Sequence, residues 1–445
     1  MPSTDDGDFG LLAPVWAGTA VVPLTSDQAV IRAMIDVEIA LARVQAPQNA
    51  ADAIEAALRG ADIHPEHLAV ASRGGGNPVI PLLAELRPLI EPDAAIWLHR
   101  GATSQDILDT ALVIVARDAA LLTVVQAHAI AESLIELAGA HVDTLMVGRT
   151  ITQHATPTTF GLKAAGWLSA VVAAERQLAA AVTALPVQLG GASGTLASFI
   201  ELHGDAQPIV GSLAEILDLA EPTLPWHVHR APLTTLGDAL VQLSDTLGTI
   251  AANVGLLARS EIRELSEPVR AGGGGSSAMP HKQNPVLATL ISAAALRAPS
   301  LAADLHRAAV TVDERPPGAW HSEWSTLREL LRTVGGQAET ARELVAGLGV
   351  NVQRMRQHVD ASANVLVSER LMLRLAPLIG KKAVQQIVDT AVSSGRDIRS
   401  ILRDEVALAD WSDDNLAELA DPAQYTGAAA ELVARAIADA REDHA

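Results

Sequence analysis

The chain has 445 residues, of which 49% are hydrophobic, contains no cysteine and carries a formal net charge of −20. Without cysteine it can form no disulfide, use no thiol nucleophile and offer none of the commonest ligands of structural zinc. The negative charge argues against a general affinity for nucleic acid or anionic membranes, so the expected partner is a small molecule.

The amino terminus gives no sign of a targeting segment. Its first ten residues, MPSTDDGDFG, are acidic and lack the basic start and apolar core of a signal peptide. No uncharged apolar run approaches the roughly 20 residues of a membrane span. We therefore expect a soluble, cytoplasmic protein with no membrane partner, whose apolar helices are buried within a subunit or between subunits.

In chain order, the pattern predicts short helices first, long helices in the middle and short helices last. Gly- and Pro-containing loops such as RGGGNPVIP interrupt the first hundred residues, and similar breaks return after about Gly349. Apolar residues recur at three- and four-residue steps over the segments 106–143, 157–185, 233–264, 284–310 and 321–348. These lengths exceed those of average helices, and short loops separate the segments, as in a long helix bundle.

Strand patterns are sparse, because alternating β-branched runs are short and isolated. The sequence therefore predicts an all-α fold of three helical domains. They are an N-terminal domain over residues 1–100, a central long-helix bundle over 101–348 and a C-terminal domain over 349–445.

The least ordinary segment is AGGGGSSAMPHKQNP, residues 271–285. A P-loop would need G-x-x-x-x-G-K-[ST] after a strand, and here Lys282 is preceded by His281 and followed by Gln283. A dinucleotide-binding fingerprint would need a preceding strand and a βαβ unit, which the pattern does not predict. A solvated linker between helices is the remaining structural interpretation, but linkers do not usually concentrate so many polar side chains.

The same segment has the residues needed to remove a proton beside a carboxylate. Glycines allow a mobile flap that closes over a ligand and excludes water. Ser276 can act as a base if successive backbone N–H groups and a nearby cation stabilise its alkoxide. Lys282 and Asn284 would hold a carboxylate or a developing enolate-like dianion.

Three motifs resemble those of the fumarase/aspartase superfamily. GSSAMPHKQNP, residues 275–285, resembles its signature G-S-S-x-x-P-x-K-x-N. HRGATSQDILDT, residues 99–110, resembles the first motif of the superfamily, and GRTITQHATPTTFG, residues 148–161, resembles the second. The resemblance covers roughly residues 29–434 and places the motifs in the order of the superfamily.

The resemblance implies a set of site residues. The predicted catalytic residues are Ser276, His154 and His99. The predicted substrate-binding residues are Thr103, Ser104, Arg100, Gln153, Ser277, Met279, Lys282, Asn284, Arg230 and Arg315. Thr103 and Ser104 also precede a predicted helix, where free N–H groups favour an anion, although in isolation an ordinary helix cap explains the pair better.

The second motif departs from the superfamily at Ile151. Many members have histidine directly after the Arg-Thr pair, whereas this chain has its nearest histidine at His154. Isoleucine cannot transfer a proton. Any catalysed protonation therefore falls to His154, His99, His281 or water.

Six further segments, spread over the three predicted domains, most resemble the carboxymuconate cycloisomerase branch of the superfamily: LHRGATSQDILDTAL, VGRTITQHATPTTFGLKAAGWL, QLGGASGTLASF, PWHVHR, ERPPGAWHSEW and VSERLMLRLAPLIG. This branch adds a substrate carboxylate across a C=C bond to close a lactone, in the protocatechuate (β-ketoadipate) branch of aromatic catabolism. The implied function is this cycloisomerisation, through an enolate-type intermediate and without a cofactor.

Two departures keep a second function open. Besides Ile151, Arg100 stands where an aromatic residue such as tryptophan is expected, and an extra guanidinium can select a more anionic or nitro-bearing substrate. A β-eliminating lyase that releases fumarate, of the adenylosuccinate or nitrosuccinate type, is therefore the alternative. A non-enzymatic helical scaffold is a third hypothesis, which has no use for Ser276, Lys282 and Asn284.

The other candidate features have ordinary explanations. His227 and His229 suggest a metal site, but neither cysteines nor an H-E-x-x-H pattern completes it, and we predict no metal. His321, Glu323, Trp320 and Trp324 fit packing between helices as well as they fit a pocket. The loop Gly190–Gly194 either lines the site or turns the chain.

The resemblance also implies a homotetramer, since superfamily members join the long helices of four subunits and build each active site from three chains. The wide apolar stripes of the predicted helices agree with such burial. The expected partners are a small polycarboxylate substrate and further copies of this chain.

Overall fold

The computed structural model describes residues 9–268, 275, 279 and 282–443. Helices dominate these residues, which confirms the predicted all-α class. The α-helices are α1 (Val21–Leu24), α2 (Asp27–Gln45), α3 (Gln48–Arg59), α4 (Pro65–Gly75), α5 (Val79–Leu86), α6 (Pro92–Ala95), α7 (Ser104–Ala140), α8 (Phe160–Thr183), α9 (Ala197–His203), α10 (Gln207–Leu217), α11 (Ala231–Leu257), α12 (Val286–Ala308), α13 (Ala319–Ala346), α14 (Val352–Leu366), α15 (Ser368–Ile379), α16 (Lys381–Ser394), α17 (Ile398–Arg403), α18 (Asp413–Ala420) and α19 (Ala429–Asp443).

The five predicted long helices correspond to α7, α8, α11, α12 and α13. All five begin within three residues of the predicted start. Helix α11 ends at Leu257 instead of continuing to Glu264, because the chain turns at 258–263 and Glu264 donates its backbone N–H to the Leu257 carbonyl. Helix α8 begins at Phe160, because the residues before it form a strand.

That strand belongs to a β-hairpin. The sequence pattern did not predict it, because the apolar spacing at the end of this segment favoured a helix. Strands β1 (Leu145–Thr150) and β2 (Gln153–Thr159) pair antiparallel, with Thr150 opposite Gln153. The two turn residues, Ile151 and Thr152, have φ of 47° and 65°, the positive values of a type I′ turn. A β-branched residue is unusual in this conformation, and Ile151 is 95% exposed at the tip.

Gly148 is required where the hairpin changes register. The pairing shifts between Val147 and Arg149, and a Cβ on Gly148 would lie 2.5 Å from the Thr156 carbonyl oxygen. Two further short strands, β3 (Leu265–Ser266) and β4 (Gly349–Val350), also pair antiparallel.

The chain divides into two compact units. The first comprises the described parts of Met1–His128, Ala173–Thr249 and Thr289–Arg342, and the second those of Ala129–Val172, Ile250–Ala288 and Glu343–Ala445. The layout of three domains, 1–100, 101–348 and 349–445, stays a prediction.

In the first unit, helix α2 contacts residues of the candidate active site described below. The Ser26 hydroxyl caps it by accepting the Ala29 N–H at 3.1 Å. Its apolar residues pack against α3 and α10, with Leu41, Ile54 and Leu213 almost fully buried.

In the second unit, a separate apolar core joins the helices α15 to α18. Leu371, Leu375 and Leu402 lie at its centre. Helix α14 packs on the hairpin through a smaller cluster that contains Val147, Val359 and Leu366. This packing holds the second motif in place.

Within the part of the chain that the structure describes, two helices, α11 and α12, are long and apolar enough to cross a membrane by length and composition alone. In their most apolar windows, 44% and 39% of the residues are buried within the protein. Charged residues interrupt both helices, at Asp238 and Asp245 in α11 and at Arg297 and Asp304 in α12. Core helices of globular proteins pass the same test, so these helices are weak evidence for a membrane span.

Candidate active site

The first motif forms the turn that leads into α7, and Asp106 organises it. The fully buried Asp106 carboxylate accepts the backbone N–H groups of Thr103 at 2.9 Å, Gly190 at 2.8 Å and Gly191 at 3.0 Å. The His227 ring lies with Nε2 at 2.7 Å from the same carboxylate. Asp106 therefore ties the first motif to the glycine loop and to His227, which accounts for His227 without a metal.

The glycine loop Gly190–Gly194 lies against this turn. A Cβ on Gly190 would lie 2.8 Å from His227 Cε1 and 2.9 Å from the Cβ atom of Pro225. Only glycine fits that gap without displacing its neighbours. The loop therefore both turns the chain and borders the first motif.

Arg315 reaches the first motif from the segment before α13. Its Nη2 donates to the Thr103 hydroxyl at 3.0 Å and to the Ala192 carbonyl at 3.4 Å, and its Nε donates to Gln105 Oε1 at 2.9 Å. Ser104 is the first residue of α7 and is half-buried. The structure thus groups Thr103, Ser104 and Arg315, three predicted substrate-binding residues, at a helix N-terminus that favours anions.

Arg230 lies in a different setting. Its side chain is 1% exposed and binds two buried carboxylates, with Nη1 at 2.7 Å from Asp109 Oδ2 and Nη2 at 2.7 Å from Glu323 Oε2. Trp320 donates its ring N–H to Asp109 at 2.8 Å. This geometry favours a structural role for Arg230 over the predicted contact with substrate.

The same cluster explains the aromatic segment at the start of α13. Trp320 and Trp324 meet edge to face, with ring centroids 4.9 Å apart, and Glu323 faces Arg230. Packing therefore accounts for these residues. The pKa of Glu323 is raised by burial and by the Asp109 charge, although the Arg230 guanidinium opposes the shift.

His99 and Arg100 open the first motif. His99 has a positive φ of 59°, and its Nδ1 lies 2.7 Å from Glu38 Oε1 on α2. The Arg100 guanidinium lies over the Trp97 ring, 4.3 Å from its centroid. A tryptophan in the loop thus orients the guanidinium that replaces the expected aromatic residue.

The second motif is the hairpin itself. His154, on β2, has its Nδ1 at 2.7 Å from the Ser362 hydroxyl of α14, and Gln153 is exposed beside the turn. Partial burial and the charges of Arg149 and His358 lower the pKa of His154. The neutral imidazole is therefore favoured at neutral pH.

Glu264 holds the β-hairpin in place, and the sequence pattern did not predict this residue. Its side chain is fully buried and accepts two hydrogen bonds from Arg149, at 2.9 and 2.7 Å, while His358 Nδ1 lies 2.5 Å away. Burial raises the pKa of Glu264, but the hydrogen bonds and charges of Arg149 and His358 lower it further, and the net shift is downward. Because Arg149 and Glu264 are 115 residues apart in sequence, no local sequence pattern indicates that they pair.

A cavity of about 530 Å³ lies beside the hairpin in the second unit, and its lining includes Arg149, His154, Lys163, Asn253 and His358. The Lys163 ammonium donates to Asn253 Oδ1 at 3.3 Å. Burial and the Arg149 charge lower the pKa of Lys163. The cavity therefore gives the second motif a cationic lining suited to a carboxylate.

We expect Glu264→Gln to destabilise the protein by about 2 kcal/mol at pH 7, because it removes a charged partner from Arg149 and His358. A carboxyl whose folded-state pKa is lowered contributes stability above its unfolded pKa, here 4.5, and loses it as the pH falls. The difference in urea unfolding free energy between wild type and variant should therefore shrink towards pH 4. Glu261→Gln, at an exposed neighbour, is the control; an unchanged difference at both pH values would contradict the assignment.

The third motif lies partly outside the described residues. Ser276, Ser277 and His281 are among the residues that the structure does not describe, so their predicted roles stay predictions. Met279 and Lys282 are exposed, and the Lys282 N–H donates to the Met279 carbonyl at 3.0 Å.

The end of the third motif is anchored at the start of α12. Asn284 is half-buried and precedes the helix by two residues. The Glu267 carboxylate accepts the N–H groups of Leu287 at 3.0 Å and Ala288 at 2.7 Å. Glu267 therefore caps α12 and fixes the chain beyond Lys282 and Asn284.

The described site residues fall into two sets. His99, Arg100, Thr103, Ser104, Arg230 and Arg315 lie in the first unit, and Gln153, His154, Met279, Lys282 and Asn284 lie in the second. Among the described residues, no group of three or more His, Asp or Glu side chains is placed to hold a metal ion. The first set places cations and hydroxyls at the N-terminus of α7, and the second places Lys282 and Asn284 just before α12.

Known proteins match this chain over almost its whole length. A family model described as Lyase matches residues 25–299. The nitrosuccinate lyase of Streptomyces davaonensis is 46% identical over 97% of this chain and 94% of that protein. The 3-carboxy-cis,cis-muconate cycloisomerase of Pseudomonas aeruginosa is 40% identical over 93% of each. The solved 3-carboxy-cis,cis-muconate lactonizing enzyme of Pseudomonas putida is similar with a TM-score of 0.89 and 35% identity, over 98% of this chain and 100% of that chain.

Proposed function

Because the chain belongs to the fumarase/aspartase superfamily and is one of its enzymes, we propose that it eliminates nitrite from nitrosuccinate and releases fumarate. The observation that carries this choice is Ile151, 95% exposed at the hairpin tip, where many superfamily members have a proton-transferring histidine. An amine leaving group needs a proton, whereas nitrite is a weak base and departs as an anion. The identity of 46% with a nitrosuccinate lyase supports the same choice.

In the proposed reaction, Ser276 as alkoxide takes a proton from the methylene carbon α to one carboxylate. The C–H electron pair forms the new C=C bond, the C–N bond breaks, and nitrite leaves with that bond's electron pair. Lys282 and Asn284 stabilise the carboxylate on which enolate charge develops. Thr103, Ser104 and Arg315 bind the other carboxylate at the N-terminus of α7, and Arg100 is assigned to the nitro group.

The second candidate is the cycloisomerisation of 3-carboxy-cis,cis-muconate predicted from the sequence motifs. The 40% identity with the Pseudomonas aeruginosa cycloisomerase and the similarity to the Pseudomonas putida lactonizing enzyme favour it. In that reaction a substrate carboxylate oxygen bonds to one alkene carbon. The electron pair moves into an enolate of another carboxylate, and the Ser276 hydroxyl protonates its α-carbon. The same residues thus serve addition and elimination.

The purified protein, incubated separately with nitrosuccinate, 3-carboxy-cis,cis-muconate and adenylosuccinate, distinguishes the candidates. We expect nitrosuccinate to yield fumarate, followed by ultraviolet absorbance, and an equal amount of nitrite, measured colorimetrically. Loss of the muconate diene absorbance without any nitrosuccinate turnover would transfer the assignment to the cycloisomerase. Turnover of adenylosuccinate would contradict the argument from Ile151.

We also propose that the active form is a homotetramer with sites shared between subunits. Membership of a superfamily of oligomeric enzymes that act on small carboxylates supports this arrangement. Size-exclusion chromatography with an activity assay on each fraction tests it. Full activity in a monomeric fraction would contradict the shared site.

A further inference from the structure

His99 is held in an unfavourable backbone conformation by a buried partner. Its φ of 59° is rare for a residue other than glycine, and its side chain is only 17% exposed. The Glu38 side chain on α2 is fully buried, with Oε1 at 2.7 Å from His99 Nδ1. Two groups 61 positions apart in sequence thus form a close pair.

Two side chains of helix α2 contact the start of the first motif. Gln45, seven residues after Glu38 and therefore on nearly the same helix face, donates its side-chain N–H to the Arg100 carbonyl at 3.0 Å. His99 and Arg100 are consecutive, and Thr103 follows four positions after His99. The two contacts fix the loop that presents these residues to an anion.

The pair favours a positive charge on the imidazole. Among the described residues, Glu38 Oε2 has no hydrogen-bond partner, so the contact of Oε1 with His99 is the interaction that can compensate a buried charge on this carboxylate. Burial lowers the pKa of His99, but the hydrogen bond and charge of Glu38 and the charge of Asp106 raise it more. The Arg87 guanidinium opposes them, and the net shift is upward.

We propose that Glu38 is a positioning residue that binds His99 through Nδ1–H, keeps the ring as an imidazolium and leaves Nε2–H to donate a charged hydrogen bond to a substrate carboxylate or nitro oxygen. This role rests on the proposed function, but it involves no proton transfer to the substrate. Glu38 therefore sets the protonation and orientation of His99 and does not touch the substrate.

The test compares Glu38→Gln, which keeps the size of the side chain and removes its charge, with Asp36→Asn on the same helix. Asp36 is 46% exposed in its side chain and pairs with Arg59, away from His99. The His99 ring is titrated by NMR in protein with ¹³C-labelled histidine, and its resonance is assigned by its loss in His99→Gln. Steady-state kinetics with the substrate identified above are measured from pH 6 to 9.

In Glu38→Gln we expect the His99 titration to move to lower pH and the alkaline limb of kcat/KM to move with it. At pH 8 the KM should rise about tenfold, with kcat changed far less, because a charged contact to bound substrate is lost. Asp36→Asn should leave both profiles unchanged. In a His99→Gln background, the Glu38→Gln change should add nothing to KM.

An unmoved His99 titration in Glu38→Gln would overturn the proposal, as would an equal KM increase in the absence of His99. The titration is recorded without substrate. A failure to turn over nitrosuccinate or carboxymuconate would therefore count against the proposed function alone, and the NMR result would still decide the role of Glu38.

Discussion

Replacing Ser276 with alanine is expected to lower kcat by about 10³-fold, since general-base catalysis contributes about 10² to 10⁴ in rate. The assignment rests on the motif GSSAMPHKQNP, in which Ser276 stands beside a glycine run and before Lys282. Alanine removes the oxygen that would accept the substrate proton, and water positioned in its place is a poorer base. Steady-state kinetics on the substrate identified above measure the loss.

Ser277→Ala is the matched control, because it removes the same group one position further along the chain. Ser277 is a predicted substrate-binding residue, so its loss should raise KM while kcat changes by less than about tenfold. A Ser276→Ala variant with wild-type kcat would refute the proposed base. Equal losses of kcat in both variants would mean that the two serines act together.

Replacing Arg230 with methionine is expected to destabilise the protein by about 4 kcal/mol, the range for breaking a buried ion pair. The guanidinium is 1% exposed and neutralises Asp109 and Glu323, whose side chains are 0% and 2% exposed. Without it, two buried carboxylates face each other uncompensated. Urea unfolding at pH 7 measures the loss of folding free energy.

The destabilisation caused by Arg230→Met should change with pH in a defined direction. In Arg230→Met the pKa of Glu323, which burial already raises, should rise further because the guanidinium that opposes the shift is gone, so folding takes up a proton and the destabilisation should shrink as the pH falls towards 5. Adding Glu323→Gln to Arg230→Met should recover part of the stability, because one buried charge is removed. Arg297→Met, at an exposed pair with Glu329, is the control and should cost less than about 1 kcal/mol. A similar cost for the two methionine variants would contradict the structural role of Arg230.

The separate roles of Arg230 and Arg315 show what the motif pattern leaves undecided. Both are arginines in segments that resemble the superfamily, and either could supply a positive charge to a polycarboxylate. Arg315 contacts Thr103 at 3.0 Å, whereas Arg230 directs its donors to Asp109, Glu323 and nearby backbone carbonyls. Burial and hydrogen-bond partners distinguish the two arginines, and neither property follows from the local sequence.

The hairpin shows where local pattern misled the secondary-structure prediction. The periodicity predicts a helix that starts at Pro157, but this residue lies inside β2, and the helix begins at Phe160. The run from Thr150 to Thr159 is rich in β-branched residues, which was a usable strand signal. The pairing of β2 with β1 and the packing of the hairpin against α14 determine that this segment is a strand.

The sequence by itself determined the helical class, the long helices and the three motifs that identify the family. Hydrophobic periodicity and the spacing of a motif are both properties of neighbouring residues. Both can therefore be recognised from the amino-acid sequence alone. Only the tertiary structure decided which carboxylate each cation meets: Glu38 with His99, Glu264 with Arg149 and Glu323 with Arg230, over separations of 61, 115 and 93 residues. These pairs form only because distant segments pack together and bury the carboxylate of each pair.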